Sequence, residues 1–152
     1  MAKSMLRANW TKEQNSQYTY TMTKENKILL VDDDDIHNFI TENFIADHYP
    51  TTDVVAFNNP EVALDHLIHA KEQPEIDCPD VILLDINMPE MNGWQFLERF
   101  IKNNIDKICG SKIHILSSSM DPADISRSKE YSIVTSFISK PLTADKFEAI
   151  LH

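Results

Sequence analysis

The run Ile28-Leu29-Leu30-Val31 is apolar throughout and breaks off into Asp32-Asp33-Asp34-Asp35. Four consecutive apolar residues bounded this sharply match a strand buried on both faces, as in a parallel sheet. The segment that follows places Ile36, Phe39, Ile40 and Phe44 at helical spacing, a stripe fit to face a core. The aspartates stand at its start, where the helix dipole favours negative charge. These residues predict one βα unit.

The same alternation recurs along the chain. Asp53-Val54-Val55-Ala56-Phe57 predicts a second strand, followed by Asn59 as N-cap, Pro60 at the first helical position and a stripe of Val62, Ala63, Leu67 and Ile68. Val81-Ile82-Leu83-Leu84 is the third strand, and after a loop holding Pro89 and Gly93 a third stripe runs through Phe96, Leu97, Phe100 and Ile101. Ile113-His114-Ile115-Leu116 is the fourth strand, and Asp121-Pro122 opens a helix to Tyr131. Thr135-Ser136-Phe137-Ile138 is the fifth, after which Thr143 caps a short helix with Phe147, Ile150 and Leu151. Five strands alternating with five helices predict an α/β fold, a doubly wound five-stranded parallel sheet with helices on both faces. Residues 1–25 are polar and lack apolar periodicity, so they are expected to form a flexible N-terminal extension to a domain at 26–152. The alternation at Tyr18-Thr19-Tyr20-Thr21-Met22 leaves an added edge strand as the alternative.

At 152 residues the chain has the size of one domain, and 42% hydrophobic with 25% charged residues is ordinary for a globular protein. A formal charge of −10 disfavours direct attraction to nucleic acid or anionic lipid. No apolar run follows Lys3 and Arg7, and none has the length of a transmembrane helix, so membrane insertion is not expected. Cys78 and Cys109 lie far apart without metal-ligand spacing and read as reduced packing residues, which fits a cytoplasmic protein.

In an open parallel sheet, ligands bind outside the carboxyl ends of the strands. There the first strand delivers Asp32 and Asp33, the third Asp85, the fourth Ser117 and the fifth Lys140. Three carboxylates are offset by one ammonium, and unit charges about 4 Å apart interact by roughly 4 kcal/mol at an effective dielectric near 20. A divalent cation relieves this repulsion, and an oxygen-only donor set suits Mg²⁺. With Mg²⁺ present, one carboxylate can act as a nucleophile toward phosphorus while Lys140 and Ser117 stabilise the transferring oxygens. Asp34 and Asp35 read as helix caps.

Ile28 to Asp33, Asp85-Ile86-Asn87-Met88-Pro89 with Gly93, Leu116-Ser117, and Phe137-Ile138-Ser139-Lys140-Pro141 resemble the motifs of response-regulator receiver domains, from about Lys27 to His152. The resemblance implies the flavodoxin-like chemotaxis-regulator fold with strand order 2-1-3-4-5. It implies Asp85 as phosphoacceptor, Asp32 and Asp33 as acidic metal pair, and Asn87 completing the Mg²⁺ site through its backbone carbonyl. It implies Ser117 and Lys140 at the phosphoryl group, Phe137 as the aromatic switch and a cis Lys140-Pro141 peptide. It further implies a stand-alone signalling protein in a two-component phosphorelay. Such a protein takes its phosphoryl group from a sensor histidine kinase or histidine phosphotransfer protein, catalyses both transfer and slow hydrolysis, and acts on a downstream protein target. The chain departs from the family pattern between Tyr131 and Ser136, which runs a residue or two longer and lacks the glycine common before the fifth strand.

Two other functions are compatible with parts of the pattern: a receiver-like binding module that acts without phosphorylation, and a haloacid-dehalogenase-like phosphatase with Asp32 as nucleophile. The second leaves Asp85-Ile86-Asn87-Met88-Pro89 unexplained and lacks an acidic pair after Lys140. His66 and His69, three apart on a helix, read as an exposed face rather than a metal site. His37 reads as a surface residue and Trp94 as a partly exposed packing aromatic.

Overall fold

The computed structural model describes residues 6–12, 18–24 and 26–152. β1 (Leu6–Lys12) and β2 (Tyr18–Lys24) pair antiparallel, Trp10 opposite Tyr20, as a two-stranded sheet of their own. The segment expected to be a flexible extension therefore carries a hairpin. Tyr18–Lys24 is indeed a strand, but it pairs with β1 and not with the edge of the main sheet.

The five apolar runs form β3 (Lys27–Val31), β4 (Asp53–Phe57), β5 (Val81–Leu84), β6 (Lys112–Ser117) and β7 (Val134–Ser139), all parallel. Their order is β4-β3-β5-β6-β7, which is 2-1-3-4-5 counted within this sheet. Alternate residues of each strand point to opposite faces, and in the inner strands β3, β5 and β6 both faces are buried. Leu29, Val31, Ile82, Leu84, Ile113 and Ile115 pack under α2 (Pro60–Ala70) and α4 (Gly93–Lys102). On the other face, Ile28, Leu30, Val81, Leu83 and Leu116 pack under α1 (Asp35–His48) and α7 (Ala144–Leu151). That is why these strands read as unbroken apolar runs. Two short helices, α3 (Pro74–Asp77) and α5 (Ile105–Cys109), supplement the expected ones, and α6 (Pro122–Ser128) precedes β7.

Of the expected α1 stripe only Phe44 packs against the core, its ring edge-on to Phe147; the other three residues are turned outward. Ile36, Phe39 and Ile40 are 73%, 67% and 54% exposed, while Asn38, Thr41 and Ile45 face the sheet. Both sets recur at i, i+3/i+4, so periodicity alone does not choose between them. The choice is made at the helix start, where the Asp34 side chain accepts from the N–H groups of Ile36 and His37 and the Asn38 amide donates to the Asp32 carbonyl at 2.8 Å. On α2, Val62 is likewise exposed, and Leu64 takes its place in the core.

Cys78 and Cys109 are not reduced packing residues; they form a disulfide with Cα atoms 5.3 Å apart. Cys78 follows α3 just before β5, and Cys109 ends α5 just before β6. Because β5 and β6 are parallel neighbours, the residues feeding their first ends converge despite a sequence separation of 31. Reduced cysteines thus cease to be a ground for placing the chain in the cytoplasm. Among the described residues, no helix is long and apolar enough to cross a membrane.

The extra length before β7 is absorbed in the ladder. Ile113 pairs with Val134 but His114 with Ser136, so Thr135 is the added residue of a bulge. Asn59 caps α2 and Thr143 stands at the N-cap of α7 without a side-chain cap hydrogen bond. The Lys140–Pro141 peptide is cis, as the resemblance implies.

Candidate functional site

The crevice at the carboxyl edge lies where chain order reverses, with β3 flanked by β4 and β5. Backbone bonds carry the strands one residue further and set the site. Asp32 N–H donates to the Phe57 carbonyl (3.1 Å), Asp85 N–H to that of Val31 (2.9 Å) and Lys140 N–H to that of Ser117 (2.9 Å). Asp32, Asp85 and Ser117 are buried, 1%, 6% and 0% exposed, whereas Asp33 is exposed.

The loop after β5 is closed by Gly93, whose N–H donates to the Ile86 carbonyl at 3.1 Å. Asn92 and Gln95 form a capping box there, each side chain accepting from the other's backbone N–H. α4 is thereby started immediately beside Asp85.

Lys140 joins the carboxylates. Its Nζ lies 2.6 Å from Asp32 Oδ2 and 3.6 Å from Asp85 Oδ2. The Asn87 N–H donates to Asp85 Oδ1 at 3.2 Å. Burial holds the Asp85 carboxyl above its ordinary range; Lys140 pulls it down, Asp32 pushes it up, the Asn87 N–H pulls it down and Asp33 pushes it up. Ser117 Oγ accepts from the Ser119 N–H at 3.1 Å and the Asn87 amide at 3.4 Å, which leaves its own hydrogen for a further acceptor.

One oxygen from each of Asp32, Asp33 and Asp85 lies within 4.8 Å of the others. This hard, acidic, oxygen-only set fits a divalent cation such as Mg²⁺. Among the described residues it is the one such group of three, so His66 and His69 gain no third ligand. The His66 ring packs on Phe57 at 5.1 Å, and His69 Nδ1 bonds to the Asp65 carbonyl.

The residues expected at the site come together: Asp32, Asp33, Asp85, Asn87, Ser117 and Lys140 line one crevice, with half-buried Phe137 further back on β7. Asp34 caps α1, whereas Asp35 accepts from the Asn58 amide at 2.8 Å. Two residues of the site were missed. His37 is no mere surface residue: its side chain is 15% exposed, with Nδ1 2.7 Å from Asp32 Oδ2. Asn38 is buried against the Asp32 carbonyl. The available signal was the polar series Asn38 and Thr41 in step with Ile45, a rival to the apolar stripe. Trp94 is buried rather than partly exposed, because Tyr131 stacks on it at 5.7 Å and the Arg127 guanidinium lies 4.8 Å from its centroid.

Residues 28–152 match the response regulator receiver domain family. The chain belongs to that family. Its receiver domain is similar in structure to a two component response regulator from Cytophaga hutchinsonii, with TM-score 0.77 and 30% identity, over 85% of this chain and 96% of that one. A response regulator receiver protein from Dyadobacter fermentans DSM 18053 gives TM-score 0.71 and 29% identity, over 82% and 94%. In sequence, the receiver domain is 39% identical over 79 residues to protein-glutamate methylesterase/protein-glutamine glutaminase 2 of Syntrophus aciditrophicus (strain SB). The match covers 51% of this chain but only 20% of that protein, so this chain spans a small part of the curated relative's length. The family and the matching sheet order make this a CheY-type receiver fold of two-component signalling.

Proposed function

We propose that this receiver domain accepts a phosphoryl group on Asp85 from a phosphohistidine of a sensor histidine kinase or histidine phosphotransfer protein. The reaction is Mg²⁺-dependent, takes place in the cytoplasm and alters contacts with a downstream protein. The observation that carries this is the setting of Asp85: a buried carboxylate at the end of the central strand β5, with one ammonium 3.6 Å away and two further carboxylates beside it.

An Asp85 carboxylate oxygen attacks phosphorus, the donor's P–N bond breaks, and its electron pair returns to the imidazole nitrogen, leaving an acyl phosphate. Asp32, Asp33, Asp85 and the Asn87 carbonyl would hold the Mg²⁺, which when bound would supply positive charge beside the transferring oxygens. Lys140 turns from Asp32 toward the same oxygens, and Ser117 donates its free hydroxyl hydrogen to one of them. Reorientation of Ser117 changes the packing of Phe137 on the adjacent strand, which carries the signal outward. Asp32 is the poorer nucleophile, because its Oδ2 already accepts from Lys140 and His37 and its Oδ1 from the Asp34 N–H. That favours Asp85 over the phosphatase alternative.

Intact-mass measurement with acetyl phosphate and Mg²⁺ tests the nucleophile and metal together. Wild type should gain one phosphoryl group, Asp85→Asn none, and Asp33→Ala should need more Mg²⁺. Peptide mapping after borohydride trapping locates the adduct; finding it on Asp32 overturns the assignment.

A further inference from the structure

Asp32 is the most enclosed carboxylate of the site, its side chain 1% exposed. Its Oδ1 accepts from the Asp34 N–H at 3.0 Å, and its Oδ2 from two donors, Lys140 Nζ at 2.6 Å and His37 Nδ1 at 2.7 Å. A carboxylate only accepts, so Nδ1 carries the hydrogen. That hydrogen is present whether the ring is neutral or charged.

Resting on the proposed transfer to Asp85, we infer that His37 is a positioning residue that keeps Asp32 paired while Lys140 leaves it for the phosphoryl group. Lys140 is the donor that must move, since it touches Asp32 but stands 3.6 Å from Asp85. Without His37, its departure removes the last protein hydrogen bond to Oδ2 inside a buried crevice, and losing a hydrogen bond to a buried charged group is costly even beside a cation. Lys140 then stays on Asp32. His37 is placed for this by the cap of α1: its N–H donates to Asp34 Oδ1 at 3.2 Å, and side chains in a first turn lean back toward the helix start. The side chain is 15% exposed, so Asp32, and not solvent, is the surrounding it reads.

The test compares wild type, His37→Leu and His37→Asn, whose amide nitrogen reaches about as far as Nδ1. Beryllofluoride, a stable phosphoryl mimic, is titrated in Mg²⁺ by calorimetry, and labelling by acetyl phosphate is followed by mass. Mn²⁺ alone is titrated by electron paramagnetic resonance. Loss of one hydrogen bond to a charged group should lower beryllofluoride affinity and labelling about tenfold in His37→Leu, with Mn²⁺ affinity within about twofold and His37→Asn restored to within about threefold. Unchanged beryllofluoride affinity in His37→Leu overturns the inference. So does a parallel fall in Mn²⁺ affinity, which would place His37 on the cation and not on Lys140, or a His37→Asn variant as impaired as His37→Leu. Failure of wild type to be labelled, or labelling that survives Asp85→Asn, overturns instead the phosphoacceptor assignment beneath it.

Discussion

A Cβ built on Gly93 would lie 2.7 Å from the carbonyl oxygen of Asp85 and equally close to Cα of Ile86. Both are backbone atoms of the loop that seats the candidate nucleophile, so neither yields as a flexible side chain would. Gly93→Ala should therefore cost about 1–3 kcal/mol, as overpacking does, and slow labelling of Asp85 by displacing its loop. Urea denaturation and intact mass measure the two effects; a fully stable, normally labelled variant would show that the loop has slack.

His114 is 3% exposed in the sheet, with Nδ1 2.7 Å from Ser136 Oγ and Nε2 without a hydrogen-bond partner among the described residues. Burial first, then the nearby Lys112 charge, lowers its pKa to about 4. The unfolded chain therefore takes up this proton more readily than the folded one. His114 contributes nothing to pH dependence above its ordinary titration range, and stability falls as pH drops from about 6.5 toward 4, by at most about 3 kcal/mol. Chemical denaturation across that window should show a shallower slope for His114→Gln than for wild type, and identical slopes would exclude this contribution.

The Cys78–Cys109 bond closes a loop that contains β5, Asp85 and α4. With 31 residues of separation, restraint of the unfolded chain is worth about 3–4 kcal/mol in the loop-entropy model. Reduction, or Cys78→Ser with Cys109→Ser, should lower the melting temperature accordingly. The bond lies at the end of the sheet opposite the site, so labelling of Asp85 should persist under reducing conditions; its loss would reveal coupling across the strand.

β1 and β2 share no ladder with the five-stranded sheet. Treating 26–152 as the domain, deletion of residues 1–24 should leave its melting temperature nearly unchanged. A marked drop in a thermal scan would assign the hairpin a stabilising role.

Much of this architecture is written in local sequence. The doubly buried runs Ile28–Val31 and Val81–Leu84, with an acid closing each, demand a parallel sheet whose edge gathers Asp32, Asp33 and Asp85, because only helices on both faces can cover such strands. Asn59-Pro60 and Gly93 mark helix starts by constraints internal to a few residues.

Tertiary structure decided what depends on contacts between distant residues. The two faces of α1 have the same period, and the polar one faces inward because Asn38 reaches the Asp32 carbonyl. Cys78 and Cys109 meet because β5 and β6 start side by side. His37 becomes part of the site because the α1 cap aims it at a carboxylate that Lys140 also holds from 108 residues away. Periodicity specifies which residues share a face, but not which face a neighbouring element buries; that follows from the summed packing and hydrogen bonding of the folded chain.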